Sequence, residues 1–373
     1  MARIERIQLA MVDLAPKVER RDAIQSFVSQ ETPLVAITDS DGGQGMGYSY
    51  TIGTGGSSVM RLLADHLCPR LIGREATEVE AIWHELEFLT HATTIGAITS
   101  IALAAIDTAL WDLRCRKAGL PLWRMAGGAR PSAPCYTTEG GWLHLPTEAI
   151  VEDALNAQAQ GFTGSKVKIG RPVIAEDVAR IAALREAVGD GYEIMTDANQ
   201  GFARDSARRR AEALATFNLA WIEEPLPADD IAGHVSLAAS TPIPIAVGES
   251  LYSIRHFAEY AARDACGIIQ VDAGRIGGIT PWLKVAHMAE GFDIPVCPHF
   301  LMELHASLVC AVQNGRYVEY IPQLDEITQS GLRIENGQAF APETPGLGID
   351  WDLDAIAGRA IPEFTRSITE AAP

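Results

Sequence analysis

The sequence lacks the cysteine patterns that mark zinc sites and thioredoxin-like redox sites. Its six cysteines are scattered, and no two of them form a C-x-x-C pair. Scattered thiols are typical of a reducing compartment, so we expect a cytoplasmic protein. The first residues, Met1 to Leu14, also lack the basic segment and apolar core of a secretory leader.

Positive charge is scarce as well, and the formal net charge is −18. A field of this sign repels nucleic acids and anionic membranes, so we expect neither as a partner. The most apolar long stretch, Ile95 to Leu113, contains Asp107 and Asp112, which predicts a buried helix rather than a membrane span. A small anionic substrate stays compatible with the charge, since a bound divalent ion reverses the field locally.

What the sequence does contain is a change of pattern along the chain. Residues 3–14 and 33–52 alternate as strands do, and helical periodicity follows them. This predicts an α+β capping domain with a substrate lid over residues 1–128. The tail, residues 326–373, carries a hairpin signal at Asn336-Gly337 and is expected to pack back on the capping domain.

Between these parts, residues 129–325 alternate between short apolar runs and helical segments. This many strand–helix units favours a closed parallel barrel over an open sheet. The predicted fold class is therefore α/β, a (β/α)7β-type TIM-like barrel with an N-terminal α+β capping domain. The runs are Gly164–Ile169, Tyr192–Thr196, Leu219–Ile222, Ile243–Val247, Gly267–Val271, Ile294–Cys297 and Tyr317–Ile321.

Three acidic residues follow successive apolar runs, where a barrel carries its active site. Asp197, Glu223 and Glu249 are separated by equal intervals of 26 residues. Equal spacing predicts three carboxylates at one height on adjacent strands, where they repel one another unless a cation holds them. Oxygen ligands without thiol or imidazole favour a hard ion, and Mg²⁺ is the predicted cofactor.

Basic groups occupy the neighbouring units. Lys166 and Lys168 are two residues apart and therefore share one face of a strand. Two adjacent cations lower each other's pKa, so we expect one lysine to act as a base. The competing interpretation is a surface pair on an edge strand, which apolar Val167 and Ile169 disfavour.

An acid, an imidazole and a second acid end the last three runs. Asp272 precedes His299 by 27 residues, one unit of the barrel. A carboxylate beside an imidazole fixes its tautomer and raises its basicity. Glu319 ends the following run and is a candidate for a hydrogen bond to the substrate.

Taken in order, Lys-Val-Lys, Asp-Ala-Asn-Gln, Trp-Ile-Glu-Glu-Pro, Gly-Glu and Pro-His resemble the enolase superfamily, mandelate racemase subgroup. The resemblance spans essentially the whole chain. Members commonly assemble as octamers, so it implies a homo-oligomer. It also implies that Mg²⁺ is ligated by Asp197, Glu223 and Glu249.

The same resemblance implies a role for each remaining group. Lys168 is the base on one face of the substrate, and Lys166 contacts the substrate carboxylate. On the opposite face His299, oriented by Asp272, is the acid/base. Glu319 hydrogen-bonds the enolate oxygen.

Local segments narrow the expected reaction. Residues 135–144 and 47–50 resemble galactarate/talarate dehydratases, and residues 119–128 and 303–309 also resemble anhydrogalactonate cycloisomerase. We predict a Mg-dependent lyase that forms an enediolate and dehydrates a sugar acid, an aldarate or aldonate, to a 2-keto-3-deoxy product. The alternatives are a cycloisomerase of an anhydro sugar acid, a racemase or epimerase of a 2-hydroxy acid, and a barrel that only binds metal or sugar.

Substrate binding is predicted for a further set of residues. The segment from Pro16 to Thr32 is expected to form a lid, and its Arg20 and Arg21 to meet a distal carboxylate or hydroxyls. Clustered charges of this kind are also typical of a solvated face. The other predicted substrate contacts are Lys166, Asn199 and Tyr48, with Tyr50 as a further candidate.

Overall fold

Alternating apolar residues near the N-terminus form the predicted strands, and these strands pair as an antiparallel sheet. In the computed structural model, which describes residues 2–93 and 96–369, β1 pairs with β4 and β4 pairs with β5. The two-residue strands β2 and β3 pair as a small hairpin between β1 and β4. The strands are β1 (Ile4–Asp13), β2 (Arg20–Arg21), β3 (Ser26–Phe27), β4 (Glu31–Asp39) and β5 (Gln44–Tyr48).

Among the described residues, four α-helices follow the sheet, and the longest packs directly on β5. They are α1 (Gly56–Leu62), α2 (Val79–Leu89), α3 (Ala97–Ala118) and α4 (Leu122–Met125). Because a Cβ at Gly47 would lie 2.2 Å from the Ala109 backbone nitrogen, glycine permits this close approach. The buried helix predicted from Ile95 is thus found as α3, although Ile95 itself lies outside the described residues. Within the described ranges, no helix has the length and apolarity needed to cross a bilayer.

The second part is a parallel barrel in which strands and helices alternate. Its strands are β6 (Ser132–Thr137), β7 (Gly164–Lys168), β8 (Glu193–Asp197), β9 (Trp221–Glu223), β10 (Ile245–Val247), β11 (Ile268–Ile269) and β12 (Val318–Tyr320). Its helices are α5 (Thr147–Ala159), α6 (Ile174–Val188), α7 (Arg204–Leu214), α8 (Ile231–Ala238), α9 (Ile254–Ala262), α10 (Ala273–Ile276), α11 (Ile279–Glu290) and α12 (Met302–Ala311).

Strands β6 to β11 are neighbours in chain order, and β12 pairs with β6 on the other side. Parallel bridges from Ile269 to Val296 and from Val296 to Gly315 close the ring. This confirms the predicted (β/α)7β-type barrel. Two details differ from the sequence interpretation, since β6 was not among the predicted strands and the run Ile294–Cys297 is reduced to a bridge at Val296.

The C-terminal segment contacts both parts of the molecule. It contains β13 (Ile334–Glu335), β14 (Gln338–Phe340), α13 (Leu353–Arg359) and β15 (Arg366–Thr369). The predicted hairpin forms, with positive φ angles of 50° at Asn336 and 68° at Gly337, as a tight two-residue turn requires. Strand β14 pairs with β6 of the barrel and β15 pairs with β1. The domain boundaries after residues 128 and 325 stay a prediction.

Candidate active site

Three buried carboxylates meet at the rim where the barrel strands end. Asp197 and Glu223 are the last residues of β8 and β9, and Glu249 follows β10 by two residues. One carboxylate oxygen of each lies within 4.8 Å of the others. Adjacent parallel strands end at the same edge, which is why residues far apart in sequence are brought together here.

Two buried lysines of β7 stand beside these acids. The Lys166 ammonium lies 3.0 Å from a Glu223 oxygen and 2.8 Å from a Glu319 oxygen, and the Lys168 ammonium donates to Asp197. The side chains are 1% and 4% exposed, so the pair faces the interior rather than solvent. Lys168 also lies 5.5 Å from the centre of the Trp142 ring.

The Lys166 charge lowers the pKa of Lys168, as expected, but the acids around the pair have the larger effect. Burial lowers the pKa of Lys168, but the Asp197 carboxylate outweighs it and raises the pKa above its usual value. The pKa of Lys166 is raised well above its usual value by Glu223 and Glu319, despite burial. Positive charge bound at the three acids would oppose both effects, since it competes for the same carboxylates.

A histidine and an acid lie beyond the three carboxylates. His299 Nδ1 is 2.9 Å from Asp272, and its Nε2 is 3.0 Å from Glu249. Burial lowers the pKa of His299, but Glu249 and Asp272 together raise it above its usual value. The ring is therefore a proton donor when both acids are ionised.

Tyr50 of the capping domain contacts the His299–Asp272 pair. Its hydroxyl donates to Asp272 at 2.6 Å and accepts a hydrogen bond from Arg275 Nε at 2.9 Å. Arg275 in turn donates to the Glu249 backbone carbonyl at 3.2 Å. A contact between two domains thus supports the acid that holds His299.

Glu319 is held as a carboxylate. It accepts hydrogen bonds from the Thr138 hydroxyl at 2.6 Å and the Phe300 amide at 2.8 Å. Burial raises its pKa, but the Lys166 ammonium lowers it well below the usual value. An ionised carboxylate accepts hydrogen bonds only, so in this state Glu319 orients Lys166 rather than donating to a ligand.

These side chains surround a cavity between the barrel rim and the β2–β3 hairpin. The predicted lid supplies one wall, and among its residues Arg20 is 5% exposed. Asn199 also lines the cavity, and its side-chain oxygen is buried without a hydrogen-bond donor within the described chain. The lining comprises Pro16, Arg20, Phe27, Ser29, Gln30, Tyr50, Ile52, Thr138, Trp142, Lys166, Lys168, Asn199, Glu249, Arg275, His299, Phe300, Glu319 and Ile321.

The structure places two predicted substrate contacts outside the lining of the cavity. Tyr48 is fully buried, has an edge-on ring contact with Trp351 and is not among the residues that line the cavity. Arg21 is exposed, since neighbouring residues of a strand point to opposite faces and Arg20 takes the inward one. The prediction for Arg21 included a solvated face as its alternative, and that is where the structure places it.

Sequence reasoning missed the residues that follow β6. Thr138 and Glu139 lie just past the end of this strand, and Trp142 covers Lys168. The available signal was position, because polar residues after a barrel strand belong to the catalytic rim. With β6 unrecognised, that signal could not be used.

The acid cluster fits a hard divalent cation. Its donors are all carboxylate oxygens, which Mg²⁺ prefers over nitrogen or sulfur ligands. Burial, and then the neighbouring Asp197 charge, raise the pKa of Glu223 to about 7. The two lysines therefore do not fully compensate the three acids, and binding of a further cation at the acids is favourable.

Known families and proteins match this chain over most of its length. Residues 7–127 match the mandelate racemase/muconate lactonizing enzyme N-terminal domain, and residues 149–355 match the enolase C-terminal domain-like family. The L-talarate/galactarate dehydratase of Salmonella typhimurium is 34% identical over 353 residues, which cover 93% of this chain and 88% of that protein. The 3,6-anhydro-alpha-L-galactonate cycloisomerase of Streptomyces coelicolor is 33% identical over 361 residues, covering 96% and 99%.

A solved structure agrees with the fold. The crystal structure of L-talarate/galactarate dehydratase from Salmonella typhimurium LT2, liganded with Mg and L-lyxarohydroxamate, superposes with a TM-score of 0.93 at 32% identity. The match covers 100% of this chain and 95% of the other.

Proposed function

The chain belongs to the enolase superfamily, in its mandelate racemase/muconate lactonizing enzyme branch, and from this premise we propose that it is a Mg-dependent sugar acid dehydratase. The observation that carries the proposal is the position of three buried acids between a lysine and a histidine beside one cavity. The charged and polar side chains among the residues that line the cavity suit a polyhydroxy acid.

We propose that Asp197, Glu223 and Glu249 hold Mg²⁺. When bound, the ion supplies positive charge that stabilises the negative charge developing on the substrate carboxylate. Lys166, fixed between Glu223 and Glu319, is placed to add a second positive charge to that carboxylate. Both contributions grow as charge accumulates in the transition state, which is the condition for rate acceleration.

Proton transfer is assigned to the two groups that flank the acids. Lys168, on the strand before the triad, and His299, beyond the far end of it, approach a bound substrate from different sides. One of them removes the proton from the carbon next to the carboxylate. For dehydration, the carbon–oxygen bond of the 3-hydroxyl then breaks, His299 gives that oxygen a proton, and water leaves. The remaining enol converts to the 2-keto-3-deoxy acid.

Cycloisomerisation of an anhydro sugar acid is the second candidate, because the cycloisomerase relative matches along 99% of its own length. It shares the first step and differs only in the leaving group, which is a ring oxygen. Racemisation or epimerisation differs again, because the proton returns on the other face. The enediolate hydrogen bond predicted for Glu319 requires a protonated carboxyl and stays a prediction.

The proposed reaction is tested by incubating the Mg-loaded enzyme in D₂O with a panel of aldonates and aldarates. We expect a 2-keto-3-deoxy product from at least one acid, and its loss in Lys168→Met and His299→Asn. Lys284→Met is the matched control, because this lysine lies outside the cavity and pairs with Glu80. A deuterium-labelled isomer formed without loss of water would favour racemisation or epimerisation, and such an isomer from an anhydro sugar acid would favour the cycloisomerase. If no acid gives a product and none takes up deuterium, only a binding protein remains.

We further propose a cytoplasmic homo-oligomer. The six cysteines are all buried and none forms a disulfide, which suits a reducing compartment. The assembly is expected from the family and is tested by light scattering of the purified protein.

A further inference from the structure

The lid contributes one positive charge to the cavity, and that charge is already balanced. The Arg20 guanidinium pairs with the Glu139 carboxylate and donates to the Pro322 carbonyl at 3.1 Å. Arg20 is 5% exposed, and its guanidinium carbon lies 5.9 Å from the centre of the Trp142 ring. The pair therefore joins the lid to the barrel as a closed, neutral unit.

The other cations that line the cavity are balanced too. Lys166 contacts Glu223 and Glu319, Lys168 contacts Asp197, and Arg275 lies 3.6 Å from Glu249. In the part of the chain that the structure describes, the lid end of the cavity offers no cation without a carboxylate partner. A second carboxylate on the substrate would thus be buried without a counter-charge, which is costly.

Arg20 nevertheless keeps a free hydrogen-bond donor. Its Nε is buried and has no acceptor within residues 2–93 and 96–369. Asn199 presents the complementary atom, since its side-chain oxygen is buried without a donor on the same cavity. A hydroxyl group both donates and accepts, so hydroxyls satisfy these two atoms where a carboxylate satisfies only the first.

We propose that the substrate is a monocarboxylate, an aldonate-type acid whose far end carries a hydroxyl, and that the Arg20–Glu139 pair excludes dicarboxylates. This inference rests on the proposed function and narrows its substrate class. The lid end of the cavity has no net charge, so it cannot compensate a second carboxylate on the substrate. The acid end of the cavity receives the one carboxylate, and the lid end receives uncharged hydroxyls.

The first test compares two acids of identical stereochemistry, an aldonate and the corresponding aldarate, on the wild-type enzyme with Mg²⁺. We expect kcat/KM for the aldonate to be higher by at least about tenfold, given the cost of an unpaired buried charge. The same preference should appear in Kd values for unreactive mono- and dicarboxylate analogues measured by calorimetry. A preference for the aldarate would overturn the inference and leave the proposed function intact.

The second test changes the balance of charge at the lid. Glu139→Gln keeps the side-chain shape but leaves Arg20 with an uncompensated charge, so the aldarate/aldonate ratio of kcat/KM should rise about tenfold. The control is Asp325→Asn, which removes the partner of Lys17 in a second, exposed contact between lid and barrel at 3.5 Å. Its ratio should stay at the wild-type value.

The results of these tests distinguish failure of the substrate-class inference from failure of the proposed function. An unchanged ratio in Glu139→Gln, or an equal rise in Asp325→Asn, would overturn the role of the pair. If neither acid is turned over, the proposed function fails, and the Kd comparison of the analogues still decides whether the cavity excludes a second carboxylate.

Discussion

Two tyrosines of the capping domain lie two residues apart but have different roles: one only packs in the core, and the other supports a catalytic residue. Tyr48 and Tyr50 are both buried, but the Tyr48 hydroxyl has no hydrogen-bond partner among the described residues. The Tyr50 hydroxyl donates to Asp272, which holds His299. Tyr50 is therefore a positioning residue for the histidine.

We expect Tyr50→Phe to lower kcat about tenfold with little change in KM, because one hydrogen bond to the supporting carboxylate is lost. Steady-state kinetics on the sugar acid measures both constants. Tyr48→Phe is the matched control and should keep both. Equal losses of activity in the two variants would show that Tyr50 contributes only through packing.

A buried carboxyl outside the cavity predicts how stability changes with pH. Burial raises the pKa of Glu303, in the first turn of α12, from 4.5 to about 7. The folded protein then holds a proton that the unfolded chain has lost. The contribution to stability is therefore complete below pH 4.5 and disappears as pH rises through about 7.

Glu303→Gln removes this dependence and should stabilise the protein at pH 8 by about 2 kcal/mol, with no gain at pH 4.5. Denaturant unfolding at the two pH values measures the difference. Glu343→Gln, at an exposed position, is the control. A gain that is the same at both pH values would contradict the assigned cause.

For single residues, the sequence predicts the acids of the metal site better than the side chains that hydrogen-bond to catalytic residues. Asp197, Glu223 and Glu249 follow from one repeating interval, since each barrel unit repeats the same geometry. The Tyr50–Asp272 contact joins residues 222 positions apart in different domains. No local pattern encodes such a contact, because it depends on how the domains pack.

The first turn of a barrel helix is stabilised by the capping domain. Helix α11 begins after Gly278, which has no side chain to cap it. Asp107 of α3 accepts hydrogen bonds from the Thr280 amide at 2.9 Å and hydroxyl at 2.6 Å. The Trp111 indole donates to the same hydroxyl at 2.9 Å. This contact fixes α3 against α11 and hence the cap over the barrel.

We expect Thr280→Val to lower the thermal midpoint by several degrees, because two buried polar groups lose a partner at a cost of about 1–3 kcal/mol. Calorimetry or circular dichroism measures the midpoint. Thr365→Val changes an exposed threonine and should leave it unchanged. A midpoint equal to that of the wild type would mean that the interface does not depend on this hydroxyl.

Proline accounts for both differences between the predicted and the observed barrel strands. Strand β6 contains Pro134, and a proline inside a run argues against a central strand because it has no N–H to donate. In the structure Pro134 lies where β6 pairs with β14, outside the parallel barrel ladder. The bridge at Val296 lies between Pro295 and Pro298, which accounts for the missing strand there. Longer apolar runs without proline, such as Gly164–Lys168, were predicted closely.

For the whole molecule, the acid cluster predicts that Mg²⁺ binding stabilises the fold. Three buried carboxylates within 4.8 Å repel one another, and a cation that binds only the folded chain raises its stability by mass action. At a hundredfold excess over Kd, the gain is about 2.7 kcal/mol. We expect chelation to lower the thermal midpoint of the wild type but not that of Glu249→Gln. An equal shift in both would place the stabilising ion elsewhere.

The net charge of −18 sets a second molecular property, the ionic-strength dependence of catalysis. The field of the whole chain repels an anionic substrate, whereas the lysines and Mg²⁺ attract it only over short distances inside the cavity. Salt shortens the reach of both fields, from about 30 Å at 0.01 M to about 8 Å at 0.15 M. Because the repulsion acts over the longer path, screening removes more of it.

We therefore expect kcat/KM to rise a few-fold, about two- to fivefold, between these salt concentrations, with kcat unchanged because chemistry occurs inside the shielded cavity. Initial rates at saturating Mg²⁺ measure both constants, and an equal concentration of an uncharged osmolyte in place of salt is the control. A fall in kcat/KM would mean that the local positive charge extends beyond the rim and guides the acid inward against the field of the rest of the molecule.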